Sequence, residues 1–328
     1  MREIVYDLEG VPVELGDSIG RGGEAEVFCL QRRSNILVKW YHPEVLQKRG
    51  SELYEKIEAM RKIEALRKVK SLSWPLIQVY RDAQRRNWIG FAMYRAHGVP
   101  IFKMAHPMLY KRYFPQIDRH HLILYLIDLI DKIKLLHGSG VMIGDYNLQN
   151  ILCATNNEQV MLIDCDSYQI SISGRMYHCP VGSADMTPPE HQKKAFTTLK
   201  RTRESEAFSV AILLFKALML GRHPYDIVGG NDPVSNLCRG DFPYGQEDSW
   251  KKIPKGSWYN IWSHMPYNLK SLFIKTFTEG ALDPTLRPTI EDWGKALEKY
   301  LFELERGYHS NEIRPGKPKK PGLKQINV

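Results

Sequence analysis

The chain has 328 residues, 43% hydrophobic and 25% charged, the balance of a soluble globular protein with enough apolar content for one large domain or two compact lobes. Its formal charge of +9 is moderately basic and does not by itself call for a nucleic-acid partner, and none is expected. Five cysteines (Cys29, Cys153, Cys165, Cys179 and Cys238) are odd in number and have no metal-site spacing, which predicts free thiols in a reducing cytosol. Met1 to Asp7 lacks an apolar signal core, and the most apolar window, Leu122 to Leu136, is interrupted by Asp128, Asp131, Lys132 and Lys134. No leader and no membrane anchor are expected, so the chain reads as cytoplasmic.

Residues 11–40 read as strand, glycine-rich turn, strand, turn and strand. The glycines at Gly20, Gly22 and Gly23 let backbone amides approach phosphates, or simply make a tight hairpin. Residues 44–70 predict helix, with Leu53, Ile57, Met60 and Ile63 at helical spacing. Pro75 to Tyr80 and Trp88 to Tyr94 alternate and pair across a turn at Arg81 to Asn87. Leu122 to Leu136 is apolar on almost every side and predicts a buried helix; His137 after it reads first as a structural histidine. Ile151 to Cys153 and Val160 to Ile163 predict short strands, and residues 167–203 a polar, irregular loop of the kind kept for function. A second core helix spans Phe208 to Leu220 and is closed by Gly221 and Pro224. Residues 227–260 are rich in Gly, Pro and Trp without a usable period. Amphipathic helices follow at Leu269 to Phe277 and Ile290 to Leu301, and the basic, Pro/Gly-rich residues 307–328 are expected to be disordered or a linker to a further domain or partner.

Three polar side chains stand out against this apolar scaffold: Asp145 and Asn150 on one loop, and Asp164 at the end of a strand. Such a carboxylate and amide, with a second carboxylate close by, hold Mg²⁺ through hard oxygen ligands and leave one acid free to orient an attacking hydroxyl. Those are the parts needed for phosphoryl transfer.

The loop with His137, Gly140, Asp145 and Asn150 resembles the catalytic loop of eukaryotic-like, bacterial-type Ser/Thr protein kinases, and Ile163-Asp-Cys-Asp166 lies where those kinases carry Asp-Phe-Gly. Gly20, Gly22 and Val27 match their glycine-rich loop, with Ala25 at the third glycine position, and Lys39 matches the strand lysine that contacts the α/β-phosphates. Met93 and Tyr94 through Gly98 are similar to the gatekeeper and hinge, Thr187-Pro-Pro-Glu190 to the Ala-Pro-Glu motif, and Asp283-Pro-Thr-Leu-Arg-Pro-Thr289 to the late Arg-Pro-Thr signature.

The resemblance implies an α+β, bilobal protein kinase-like fold: a nucleotide-binding lobe at 1–94 with a five-stranded antiparallel sheet and a helix, then a mainly α-helical lobe at 95–306. It also implies ATP and Mg²⁺ (or Mn²⁺) as cofactors and transfer to Ser/Thr hydroxyls of proteins, the chain itself included. Asp145 would be the catalytic base with Lys39, and Asn150 and Asp164 would hold the metal. Gly20, Arg21, Gly22, Gly23, Ala25, Val27, Lys39, Met93, Tyr94 and Leu152 would hold the nucleotide. Glu206 stands where an aspartate braces the catalytic loop, and an ion pair between Arg287 and Glu190 is expected. The helix glutamate that pairs with Lys39 is open among Glu55, Glu58 and Glu64.

Departures from the pattern bear on activity. Gly144 replaces the arginine before the catalytic aspartate, so switching through loop phosphorylation is less expected. Asn147 replaces a lysine that touches the γ-phosphate, and Asp166 replaces a glycine, either recruiting metal or capping a turn. Two other readings follow from the same residues: a nucleotide-binding pseudokinase that scaffolds a partner, and a small-molecule phosphotransferase of the aminoglycoside or choline kind.

Overall fold

The computed structural model of the chain describes residues 3–245 and 249–319. The first lobe holds six strands: β1 (Ile4–Tyr6), β2 (Pro12–Arg21), β3 (Ala25–Leu30), β4 (Ile36–Tyr41), β5 (Pro75–Tyr80) and β6 (Trp88–Tyr94). They close into a barrel in the order β1-β2-β3-β4-β6-β5, every pairing antiparallel. The expected five-stranded sheet is thus corrected to six. β1 is only three residues long, too short for alternation to register in the sequence, yet it pairs with β2 and meets β5 at Tyr6 and Tyr80. Its arrival covers two sheet edges that would otherwise stay open.

Alternation along β4 sends Leu37 and Tyr41 to the main core and Val38 to a small core inside the barrel, so Lys39 lies on the Leu37 and Tyr41 side. Beneath that face runs α1 (Pro43–Arg61), begun by a proline at its first turn and burying Leu53, Ile57 and Met60.

The chain leaves β6 at Tyr94 and enters the second lobe through Val99–Pro100, which pairs with Ile151–Cys153; that strand in turn pairs with Val160–Leu162. The core of this lobe is α2 (Arg119–Gly138), capped by Asp118, and α3 (Arg203–Leu218), begun by a Thr202/Ser205 capping box and buried over most of its surface. α4 (Tyr267–Phe277) and α5 (Ile290–Glu305) complete it, α5 lying along α2. The segment without a readable period, 227–260, delivers Phe242 and Tyr244 to an aromatic cluster around Phe215, with Trp262, Phe273 and Phe277.

Two local expectations are corrected. The loop at 167–203 is not irregular throughout: it opens as a hairpin, Gln169–Ile172 against Arg175–Tyr177, turned by Ser173 and Gly174 at φ 50° and 76°. The tail is not disordered in its described part, 307–319. Arg119, buried at the start of α2, donates from its backbone to Asn311 O (2.7 Å) and from its guanidinium to Ile313 O (2.7 Å), and Ile313 is buried. The tail supplies carbonyls that a buried arginine needs, which composition could not reveal. Residues 320–328 of the expected tail lie outside the described residues. Among the described residues no helix is long and apolar enough to cross a membrane.

Candidate active site

The strand Val160–Leu162 is tied to the first lobe: Leu162 N–H donates to Ser71 O (2.9 Å), and Ser73 N–H donates to Leu162 O (2.9 Å). Two residues on, Asp164 takes the left-handed conformation (φ 59°), which aspartate tolerates better than most residues. Its carboxylate thereby meets the barrel, with Oδ1 2.6 Å from Lys39 Nζ. Residues 125 positions apart are therefore joined across the cleft between the lobes.

The catalytic-loop segment is held from below by α3. Glu206 is 1% exposed, and its carboxylate accepts from Ile143 N–H (2.9 Å), Gly144 N–H (2.8 Å) and the Tyr146 hydroxyl (2.6 Å). His137 Nε2 lies 3.3 Å from the same carboxylate, which makes it a structural histidine as expected. These donors leave the Glu206 carboxylate fully engaged, with one side chain fixing the loop on both sides of Asp145.

Asp145 behaves differently. Its Oδ1 is buried and has no hydrogen-bond partner. Burial and then the neighbouring Asp164 charge push its carboxyl above the usual range. Asn150 is tied into the loop through its backbone, donating to Asn147 O (2.9 Å) and accepting from Ile163 N–H (3.0 Å), which leaves the amide for other use. Asn147 is exposed, and its side chain closes a local turn by accepting from Gln149 N–H at 2.9 Å.

Gly144 is needed for two reasons: φ is 76°, and a Cβ there would sit 2.8 Å from Cys179 Sγ. The same Cβ would lie 3.3 Å from Arg201 Nε. Arg201, buried and missed by sequence reasoning, thus supplies a cation close to Asp145 from the far end of the 167–203 segment.

Lys39 is gripped on both sides. Besides Asp164 it meets Asp166, with Nζ 2.7 and 2.8 Å from its two oxygens. Burial alone would lower the Lys39 pKa, but the Asp166 and Asp164 charges outweigh it and raise it. The Tyr41 hydroxyl donates to Asp166 Oδ2 at 2.6 Å. The turn-cap reading of Asp166 is therefore corrected: its carboxylate meets Lys39 and Tyr41 instead.

None of the three candidate glutamates on the helix side reaches Lys39. Glu55 pairs with Arg175 (2.6 Å), Glu58 with Arg61 and Gln78 (2.9 Å to Nε2), and Glu64 lies 4.0 Å from Lys68 on the surface. The residue that α1 buries instead is Lys56, whose pKa burial brings down to about 8. The missed signal was positional: Leu53, Lys56, Ile57 and Met60 follow helical spacing, so this lysine stands in the apolar stripe.

The glycine-rich segment makes a tight end between β2 and β3, with Gly22 N–H donating to Ala25 O (2.9 Å) and Arg21 opposite Glu26. A Cβ added to Gly20 or Gly23 would meet nothing within 4 Å, so packing in the free chain does not call for glycine at either position. Open backbone there fits a phosphate-bearing ligand. Val27 is opposite Lys39 in register, and Met93 is buried opposite Leu37. At the crossing between lobes, His97 N–H contacts Met161 Sδ (3.0 Å), and Met161 pairs with Leu152. Hard oxygen donors, an orphaned buried carboxylate oxygen, a fixed cation and an open glycine turn fit Mg²⁺ and a nucleoside triphosphate together.

Farther from the cleft, the expected Arg287–Glu190 pair is present and bidentate, at 2.7 and 2.8 Å.

A family model described as the protein kinase domain matches residues 13–297. Among curated proteins, the chain is similar to "Protein kinase YegI" of Escherichia coli O157:H7, 27% identical over 315 residues, which cover 93% of this chain and 47% of the relative. It is equally similar to "Protein kinase YegI" of Escherichia coli strain K12, 27% identical over 311 residues, 92% of this chain and 47% of the relative. The chain spans about half the length of these relatives. With the family match running from the glycine-rich turn past the Arg287 signature, the chain belongs to the protein kinase domain family.

Proposed function

We propose that the chain is a cytoplasmic protein serine/threonine kinase that transfers the γ-phosphoryl group of ATP to protein hydroxyls, including its own, with Mg²⁺ (or Mn²⁺) bound. The observation that carries this reading is the meeting of Lys39 and Asp164 at 2.6 Å beside a buried, unpartnered Asp145 oxygen.

In this reading Asp164 and Asn150 hold the metal, which when bound neutralises charge on the β- and γ-phosphate oxygens. Lys39 and the amides from Gly20 to Ala25 grip the triphosphate, while Val27, Met93, Tyr94 and Leu152 border the base. Asp145 orients the acceptor hydroxyl and takes its proton as the hydroxyl oxygen bonds to the γ-phosphorus. The bond from that phosphorus to the β–γ bridging oxygen breaks, and ADP leaves with the electron pair. The raised Asp145 pKa favours proton acceptance, since a stronger base is the better acceptor. Asn147 offers no charge, and Arg201, close to Asp145, supports charge balance around the transferred group.

The Arg287–Glu190 pair favours a protein acceptor over a small molecule, because it braces the segment that positions peptide in the resembling kinases. Mapping of phosphorylated residues by mass spectrometry, after incubation with ATP and Mg²⁺ or with ATP and EDTA, tests the reading. Phosphoserine or phosphothreonine only with the metal is expected. Label passing instead to choline or an aminoglycoside added as competing acceptor would support the small-molecule reading. Metal-dependent ATP binding with no transfer at all would support the pseudokinase.

A further inference from the structure

Charge around Lys39 is arranged in an inverted way. The helix packed against the cleft, α1, contributes a buried cation, Lys56, and no carboxylate. The carboxylate comes from the other side, from Asp166, in the turn Cys165–Ser167 against which α1 packs. Lys56 also donates to His178 O at 3.3 Å, beyond the hairpin that follows this turn. Asp166 thus holds Lys39 and the Tyr41 hydroxyl, both from β4, and feels the charge of Lys56 from α1.

Exposure separates the two aspartates that hold Lys39. The Asp164 side chain is 42% exposed and that of Asp166 is 6% exposed. Asp164 is open to the cleft and free to exchange Lys39 for another cation. Asp166 is enclosed and holds Lys39 through both oxygens. When Asp164 turns toward another cation, the two Asp166 oxygens at 2.7 and 2.8 Å still hold Lys39 in place.

We propose that Asp166 is the positioning residue that keeps Lys39 aimed into the cleft through both of its oxygens, doing the work otherwise assigned to a helix glutamate. Lys56 ties α1 to the segment at His178 and sets its positive charge toward the same carboxylate. The helix and the turn after Asp164 have exchanged charge signs, so the position of α1 is sensed through Lys56 and Asp166. This inference rests on the kinase reading for its catalytic consequence, but the positioning of Lys39 stands on nucleotide binding alone.

The experiment compares wild type, Asp166→Gly, Lys56→Glu and the double variant Lys56→Glu/Asp166→Gly, which moves the carboxylate onto the helix. Binding of a fluorescent ATP analogue with Mg²⁺ gives Kd, autophosphorylation gives kcat and KM, and circular dichroism reports folding. Each single variant is expected to lose at least tenfold in kcat/KM and in nucleotide affinity, and the double variant to return to within about threefold of wild type. Recovery would identify the carboxylate beside Lys39 as the quantity that matters, which a merely structural role for Asp166 does not predict. If a single variant fails to fold, recovery of folding and binding in the double variant carries the same weight. Asp166→Gly within twofold of wild type, or a double variant no better than Asp166→Gly, overturns the proposal. Wild type that binds the analogue but transfers no phosphate would defeat the kinase reading and leave the Kd comparison to decide this one.

Discussion

Arg287 holds both carboxylate oxygens of Glu190 at 2.7 and 2.8 Å with a side chain that is 0% exposed. The guanidinium also donates to Gly280 O (2.6 Å) and Glu204 O (3.0 Å) and lies 4.7 Å from the Phe208 ring centre. Removing Glu190 would strand this buried cation, and breaking such a pair costs about 3–5 kcal/mol. Glu190→Ala is therefore expected to lower the unfolding free energy by about that amount in urea titrations. Arg287→Lys should not preserve stability, since a point charge cannot reproduce the two-pronged contact.

Glu206 receives only donors. A glutamine there would turn an NH₂ toward one of the N–H groups of Ile143 or Gly144, or toward the Tyr146 hydroxyl. Leaving a buried donor unmatched costs about 1–3 kcal/mol. Glu206→Gln should lose that much stability and lower kcat while KM for ATP stays near wild type, because the loop bearing Asp145 loosens and the nucleotide contacts do not. Denaturation and steady-state kinetics on the same preparation check both.

Asp145 carries opposite consequences for stability and rate. Its folded-state pKa is raised, first by burial and then by Asp164. The stability linked to its protonated form is therefore present at low pH and lost as pH rises through the raised value. Asparagine is neutral at every pH, so Asp145→Asn should raise the melting temperature at pH 7 while kcat falls about 10²–10⁴-fold. In wild type the acid limb of the rate profile should lie above the ordinary aspartate value of about 3.9.

Gly20 and Gly23 face open space. Alanine at either position should leave stability unchanged or raise it by about 0.4–1 kcal/mol through the unfolded chain. It should weaken ATP binding, because a methyl group then stands between backbone and phosphate. Thermal melts without nucleotide, set against ATP titrations, separate the two effects.

β5 and β6 were legible in the sequence by alternation, and the meeting of Lys39 with Asp164 and the brace from Glu206 by the order of their motifs. The Arg287–Glu190 pair was legible too, although 97 positions separate its members. β1 was not, because three residues carry too little pattern. Ser173-Gly174 did signal the missed hairpin, but the flanking strands are only four and three residues long. The Asp166–Lys39 contact and the burial of Lys56 are not legible in the sequence because they join three separate parts of the chain. Arg201 was hidden likewise: it comes near Asp145 only when the end of the 167–203 segment folds back beside Gly144.

The most direct test of the central claim is transfer of label from γ-labelled ATP with Mg²⁺ to protein, measured for wild type, Asp145→Asn and Asp164→Asn. The account predicts incorporation by wild type that EDTA abolishes, with both variants reduced at least a hundredfold though still folded. Equal incorporation in all three proteins would contradict it.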